Sequence, residues 1–157
     1  MNETISPVAS VIIPVYNGGV TIEQVLTHVL AQKNCPAYEV IVVDDGSTDR
    51  TREIVRNFRS VRLIEQANAG PAAARNRGAQ SARGRYLCFT DSDCLPHPDW
   101  ISHLLSGFSH DTVGAVMGTY GIANPRFWLA TCVYEEIRFR HKALLPEYPQ
   151  VFGSYNV

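Results

Sequence analysis

No stretch of this sequence approaches the roughly 18 to 20 uninterrupted apolar residues that a membrane-spanning helix needs. Nor does it open with a basic segment, an apolar run and a small-residue cleavage site. Neither a membrane span nor a signal peptide is therefore expected, and the chain reads as soluble. Charge of one sign is also lacking: 14 Lys and Arg against 15 Asp and Glu leave a formal net charge of −1. That excludes the strong field that draws nucleic acid or an anionic membrane, so no nucleic acid partner is expected and any anion site must be local. The four cysteines, Cys35, Cys88, Cys94 and Cys132, form no Cys-x-x-Cys pair and have no histidine at zinc-finger spacing. A structural zinc site is excluded, and a reduced, intracellular setting fits. Internal repeats, low-complexity segments and interdomain linkers are missing too.

What is there is the composition of an ordinary globular domain, 45% hydrophobic and 18% charged. A chain of 157 residues can bury roughly 70% of the surface that its unfolded form exposes, so a single domain over 1–157 is expected. The arginines between Arg50 and Arg85 are interleaved with apolar and small residues and read as solvated helix faces.

Strand and helix patterns alternate. Val8 to Val15 is a β-branched apolar run ended by Asn17-Gly18-Gly19, and Thr21 to Gln32 follows with Ile22, Val25, Leu26, Val29 and Leu30 at helical spacing. Tyr38 to Val43 repeats the strand, then come the turn Asp44-Asp45-Gly46-Ser47 and a polar helix from about Asp49, with Ser47 or Thr48 able to cap it. Val61 to Ile64 and Tyr86 to Thr90 read as further strands, and Pro71 to Ala82 and Pro98 to Phe108 as helices with proline in the first turn. Val113 to Met117 is predicted as a fifth strand and Phe127 to Leu144 as a helix, and Val151 to Val157 is apolar and aromatic. Such alternation predicts an α/β domain, a mainly parallel sheet flanked by helices on both faces, with ligands at the carboxyl ends of the strands.

Those ends carry the polar clusters: Tyr16 and Asn17 after the first strand, Asp44 and Asp45 after the second, Asp91-Ser92-Asp93 after the fourth. Alternate residues of an extended segment point to one side, so Asp91 and Asp93 can face one cation. Carboxylates with substrate phosphates are the usual set for Mg²⁺ or Mn²⁺. For an isolated Asp-x-Asp, a solvated turn or an N-cap is the commoner explanation. Adjacent acids at a buried strand end, as at Asp44 and Asp45, need donors, which a base such as uracil could supply through its ring N–H while Tyr16 stacks on its face. Gly70-Pro71-Ala72-Ala73-Ala74-Arg75 puts small residues at a helix start, where free amides favour an anion, with Arg75 one turn in.

Taken in order, Ser10-Val-Ile-Ile-Pro-Val-Tyr-Asn17, Val43-Asp-Asp-Gly-Ser-Thr-Asp49, Gly70-Pro-Ala-Ala-Ala-Arg-Asn76 and Phe89-Thr-Asp-Ser-Asp93 closely resemble family-2 glycosyltransferases of the GT-A fold. The resemblance runs from about Ala9 to Trp100 and continues weakly beyond. It implies a Rossmann-like GT-A fold whose residues 8–118 bind the nucleotide and whose residues 119–157 begin the acceptor side. It also implies that Asp45 hydrogen-bonds the nucleotide base, that Tyr16 lines the same pocket, and that Arg75 contacts base or diphosphate. Asp93 would coordinate a divalent ion, Mn²⁺ or Mg²⁺, with Asp91 contacting ribose or the metal's water shell. Pro14, Asn17, Asp44, Gly70 and Ser92, from the same motifs, are expected at the donor site.

The expected activity is inverting, metal-assisted transfer of a sugar from a nucleotide-diphosphate sugar to an acceptor hydroxyl, in polysaccharide or glycolipid synthesis. A carbohydrate or lipid-linked acceptor is implied, as is a cytoplasmic location with peripheral association at the inner face of the membrane. Inversion needs a base for the acceptor hydroxyl, which relatives take from a downstream carboxylate. Glu135 and Glu136 precede the segment Phe152-Gly-Ser-Tyr-Asn-Val157 that resembles the start of the acceptor half, so the base is expected beyond Val157 and the fold is expected to be incomplete there. The alternative is a truncated, non-catalytic module that binds a nucleotide sugar without transferring it. A dinucleotide-binding Rossmann domain is disfavoured because no Gly-x-Gly-x-x-Gly follows the first strand.

Overall fold

The computed structural model describes residues 6–118, 121, 126 and 128–144. Four parallel strands, β1 (Ala9–Val15), β2 (Tyr38–Asp45), β3 (Val61–Gln66) and β4 (Tyr86–Phe89), form one sheet in the order β3-β2-β1-β4. All seven residues of β1 are buried, as an apolar run with no alternation requires when a strand is covered on both faces. Pro14 sits in this central strand without disrupting it. It shares its orientation with Ile12, whose carbonyl accepts from Thr90 N on the β4 side, and the β1–β4 ladder ends at Ile12 and Phe89. The missing N–H of Pro14 therefore falls where β4 has already diverged.

Three helices, α1 (Ile22–Leu30), α2 (Thr51–Arg56) and α4 (Trp100–Ser106), cover one face. Their Ile22, Val25, Leu26, Val29, Val55, Trp100 and Ile101 pack with Val11, Ile13, Val40 and Val42 in one cluster. The opposite face takes α3 (Pro71–Ser81), with Ala74 against Ile41 and Val43. Alanine and glycine dominate α3 because its backbone lies directly on the sheet: a Cβ at Gly78 would stand 2.4 Å from Ile12 Cγ2 and 3.2 Å from Val43 Cγ2. Both faces are thus covered, as the alternating pattern predicts.

Two expectations are corrected. Ser47 and Thr48 do not cap α2. Their hydroxyls are engaged by the β1 loop instead: Ser47 Oγ accepts from Asn17 N and Thr48 Oγ1 donates to Asn17 Oδ1, while Asp49 Oδ1 accepts the Thr51 amide at the helix start. The predicted fifth strand over Val113 to Met117 is not formed: the segment joins no ladder, with a lone bridge at Gly118. β-propensity makes a strand only where a neighbour offers hydrogen bonds, and a groove of about 520 Å³ separates this segment from β4. The last helix, α5, spans Trp128–Leu144; Phe127 and Val151 to Val157 lie outside the described residues. Among the described residues, no helix is long and apolar enough to cross a membrane.

Candidate functional site

In an open parallel sheet, the crevice outside the strand ends opens where the strand order reverses. Here that point lies between β1 and β4, because β1 is followed outward by β2 on one side and by β4 on the other. A pocket of about 390 Å³ occupies it. β1 contributes Pro14 and Val15, and Tyr16 follows directly; β2 contributes Asp45; the loop into α3 contributes Asn68 and Gly70, and α3 itself Pro71 and Arg75; the loop after β4 contributes Asp91, Ser92 and Asp93. Motifs separated by up to 79 residues of chain (Pro14 to Asp93) thus meet in one pocket.

Each acid has a distinct environment. Asp45, only 3% exposed, accepts from Gln66 Nε2, Ala69 N and Gly70 N, each at 2.8 Å. Burial alone would raise its pKa, but these three donors together outweigh it and hold the carboxyl below its ordinary value. Asp45 is therefore a buried carboxylate that fixes the loop entering α3. Gly70 permits that path, with φ of 90° and no neighbour within 4 Å of an added Cβ.

Asp44 points to the other side of β2, as alternation requires. It is fully buried; its Oδ2 accepts from Ser47 N at 3.1 Å and lies 3.6 Å from Arg52 Nε, while Oδ1 has no hydrogen-bond partner. Asn17, in the left-handed region at φ 52°, receives Thr48 N at 2.8 Å on its side chain and donates its own amide to Ser47 Oγ at 2.9 Å. Asn17 stitches the β1 and β2 loops together, Asp44 braces the β2 loop and Arg52, and neither borders the pocket. Tyr16, 53% exposed, leaves its ring open to the crevice.

Across the pocket, Arg75 is ion-paired with Asp91. The Asp91 and Asp93 carboxylates and the Cys94 thiol can bring one ligand atom each within 4.8 Å of one another. Cys94 is 2% exposed and its thiol donates to Asp93 Oδ1 at 3.4 Å, so two hard oxygen donors face outward above a buried sulfur. That donor set fits a hard divalent cation completed by phosphate oxygens, such as Mg²⁺ or Mn²⁺. The amino end of α3 lies at the same pocket, and its first-turn amides and dipole favour an anion there. Glu135, by contrast, pairs with Arg138 on the exposed side of α5.

Sequence reasoning missed Gln66, Asn68 and Cys94. Gln66 was findable from register, since it is the residue of β3 opposite Asp45. Cys94 follows the acidic motif directly, but nothing in its spacing announces a thiol beneath Asp93.

Comparison with known proteins shows the family and the fold. Residues 10–153 match the model of the family described as Glycosyl transferase family 2. Glycosyltransferase AglE of Haloferax volcanii is 41% identical over 125 residues, 76% of this chain and 41% of that protein. Among solved structures, the mannosyltransferase PcManGT from Pyrobaculum calidifontis, in complex with GDP-Man and Mn²⁺, superposes with a TM-score of 0.69 at 32% identity, over 75% of this chain and 37% of that one. TarS 1-349 of S. aureus in complex with UDP-GlcNAc gives 0.67 at 28% identity, over 76% and 36% respectively. The chain spans under half the length of the curated relatives it matches.

Proposed function

This chain belongs to glycosyl transferase family 2, and from that membership we propose that it binds a nucleoside diphosphate sugar in the crevice between β1 and β4 and serves as the donor side of an inverting glycosyl transfer. The observation that carries the reading is the convergence of Tyr16, Asp45, Arg75, Asp91 and Asp93 on one pocket. The base is read at Asp45 with Tyr16 on its face, and Arg75 and the amino end of α3 receive the diphosphate. Asp93, with Asp91, would hold a divalent cation, Mn²⁺ or Mg²⁺, whose charge offsets the negative charge growing on the leaving diphosphate. Pro14, Gly70 and Ser92 complete the walls. The acceptor is a carbohydrate or lipid-linked hydroxyl, reached at the cytoplasmic face of a membrane, in the making of a surface polysaccharide or glycolipid.

The test is calorimetric titration with nucleoside diphosphates, each with and without Mn²⁺. Metal-dependent binding of at least one, lost in Asp93→Ala, is the expected result. Binding that ignores both the metal and that substitution overturns the reading.

A further inference from the structure

Asp45 lines the pocket with most of its accepting capacity already used. An ionised carboxylate offers about four lone-pair positions, two on each oxygen. Oδ1 accepts from both Gln66 Nε2 and Ala69 N, and Oδ2 accepts from Gly70 N. One position, on Oδ2, is left for a ligand. The Gln66 amide cannot turn over to release another, because its oxygen would then face the carboxylate oxygen at 2.8 Å.

Bases differ in what they ask of such a group. Guanine presents two adjacent donors, its ring N1–H and its exocyclic amino group, and needs both carboxylate oxygens open. Adenine and cytosine set a ring nitrogen lone pair beside their amino donor, which would face the carboxylate's own charge. Uracil and thymine present a single imide N–H between two carbonyl oxygens. A buried donor left without an acceptor is costly, so one free acceptor position selects one donor.

Resting on the donor-binding reading above, we propose that the nucleotide carries a uracil or thymine ring, read through its one imide N–H by Asp45, and that Gln66 is a positioning residue that enforces this choice by filling Oδ1. The ring's flanking carbonyl oxygens need donors, and the Asn68 amide lines the same pocket.

The experiment compares UDP, dTDP, GDP, CDP and ADP by calorimetry in the presence of Mn²⁺, on the chain as it stands and on Gln66→Leu. UDP or dTDP is expected to bind at least about tenfold more tightly than the other three, the usual scale for one unmet buried hydrogen bond; the UDP and dTDP arms separate a ribose uracil from a deoxyribose thymine. Gln66→Leu frees a position on Oδ1 and is expected to narrow the gap between UDP and GDP severalfold. A merely structural role would weaken all five nucleotides together and leave the ratio unchanged, which overturns the part given to Gln66; Gln66→Met serves if the leucine variant fails to fold. GDP, CDP or ADP binding as tightly as UDP and dTDP overturns the base assignment while leaving the donor site standing. Absence of binding by every nucleotide overturns the donor site and this inference with it.

Discussion

Arg75 and Asp91 are ion-paired across the crevice, Nη2 against Oδ1, although one comes from the first turns of α3 and the other from the loop after β4. The same Asp91 carboxylate belongs to the acidic group suited to a divalent cation. The guanidinium thus occupies a carboxylate that a metal would also claim, and it is the cationic side chain lining the pocket. On the donor-binding reading, Arg75 would leave Asp91 as it meets phosphate.

Removing the arginine should therefore act with opposite signs on metal and nucleotide. The pair is roughly one-third to two-fifths exposed, where ion pairs are worth about 0 to 1 kcal/mol. Arg75→Ala should tighten Mn²⁺ binding to the nucleotide-free chain by no more than about fivefold, read by electron paramagnetic resonance. A charge-assisted contact to phosphate is worth about 1.5 to 3 kcal/mol, so nucleoside diphosphate affinity should fall by tenfold or more. Weaker Mn²⁺ binding in the variant would show that the guanidinium supports the acidic group instead of competing for it.

Gly78→Ala reverses an ordinary expectation. In an exposed helix interior this change gains about 1 kcal/mol from propensity. Here the added methyl meets Ile12 Cγ2 at 2.4 Å and Val43 Cγ2 at 3.2 Å, both on fully buried residues of the central strands. Overpacking of this kind costs about 1 to 3 kcal/mol, so a net loss of stability is expected in urea unfolding, with the midpoint lowered and the slope unchanged. A midpoint equal to or above that of the parent chain would mean that α3 does not sit on the sheet at this distance.

The parallel strands were legible because β1 and β2 each hold a β-branched core, Val11, Ile12 and Ile13 in one and Val40, Ile41, Val42 and Val43 in the other, followed by turn residues. The convergence of Tyr16, Asp45 and Asp93 followed from the parallel arrangement, which sends every strand end to one edge. Less visible were relationships that depend on register and depth. Gln66 reaches Asp45 only because β3 pairs with β2 in one alignment, and Asn17 spends its side chain on Thr48, which no local pattern reveals. Val113 to Met117 carries strand propensity but lies across a groove from β4; propensity cannot say whether a partner is within reach.

Asp45 also makes an acid-sensitivity prediction. Its folded carboxyl lies below the ordinary 3.8 despite burial, so the unfolded chain binds the proton more tightly. Its contribution to stability is present above about that pH and is lost as pH falls through the folded value. Asp45→Asn should be less stable than the parent at neutral pH by about 1 to 3 kcal/mol, since an amide cannot accept all three donors. The difference should shrink as the medium is acidified below about pH 4, the range in which an unfolded aspartate titrates. A stability gap that is constant from pH 7 to pH 2.5 in guanidinium titrations would remove the carboxylate's charge from the account.

Thiol reactivity offers a check on the sheet that needs no ligand. Cys88, on β4, is 4% exposed and its thiol is pushed up to about 11 by burial, whereas Cys132 is exposed on α5. Alkylation requires the thiolate and access to it. At pH 8, iodoacetamide should modify Cys132 well before Cys88, with peptide mass spectrometry reading each site. Cys88 should react only through opening of the β1–β4 edge, so its rate should rise with urea and should be higher in Gly78→Ala, which loosens the packing over Ile12 beside the β4 ladder. Equal rates at Cys88 and Cys132 in the native chain would mean that β4 is not held against β1, and the crevice that depends on their divergence would lose one wall.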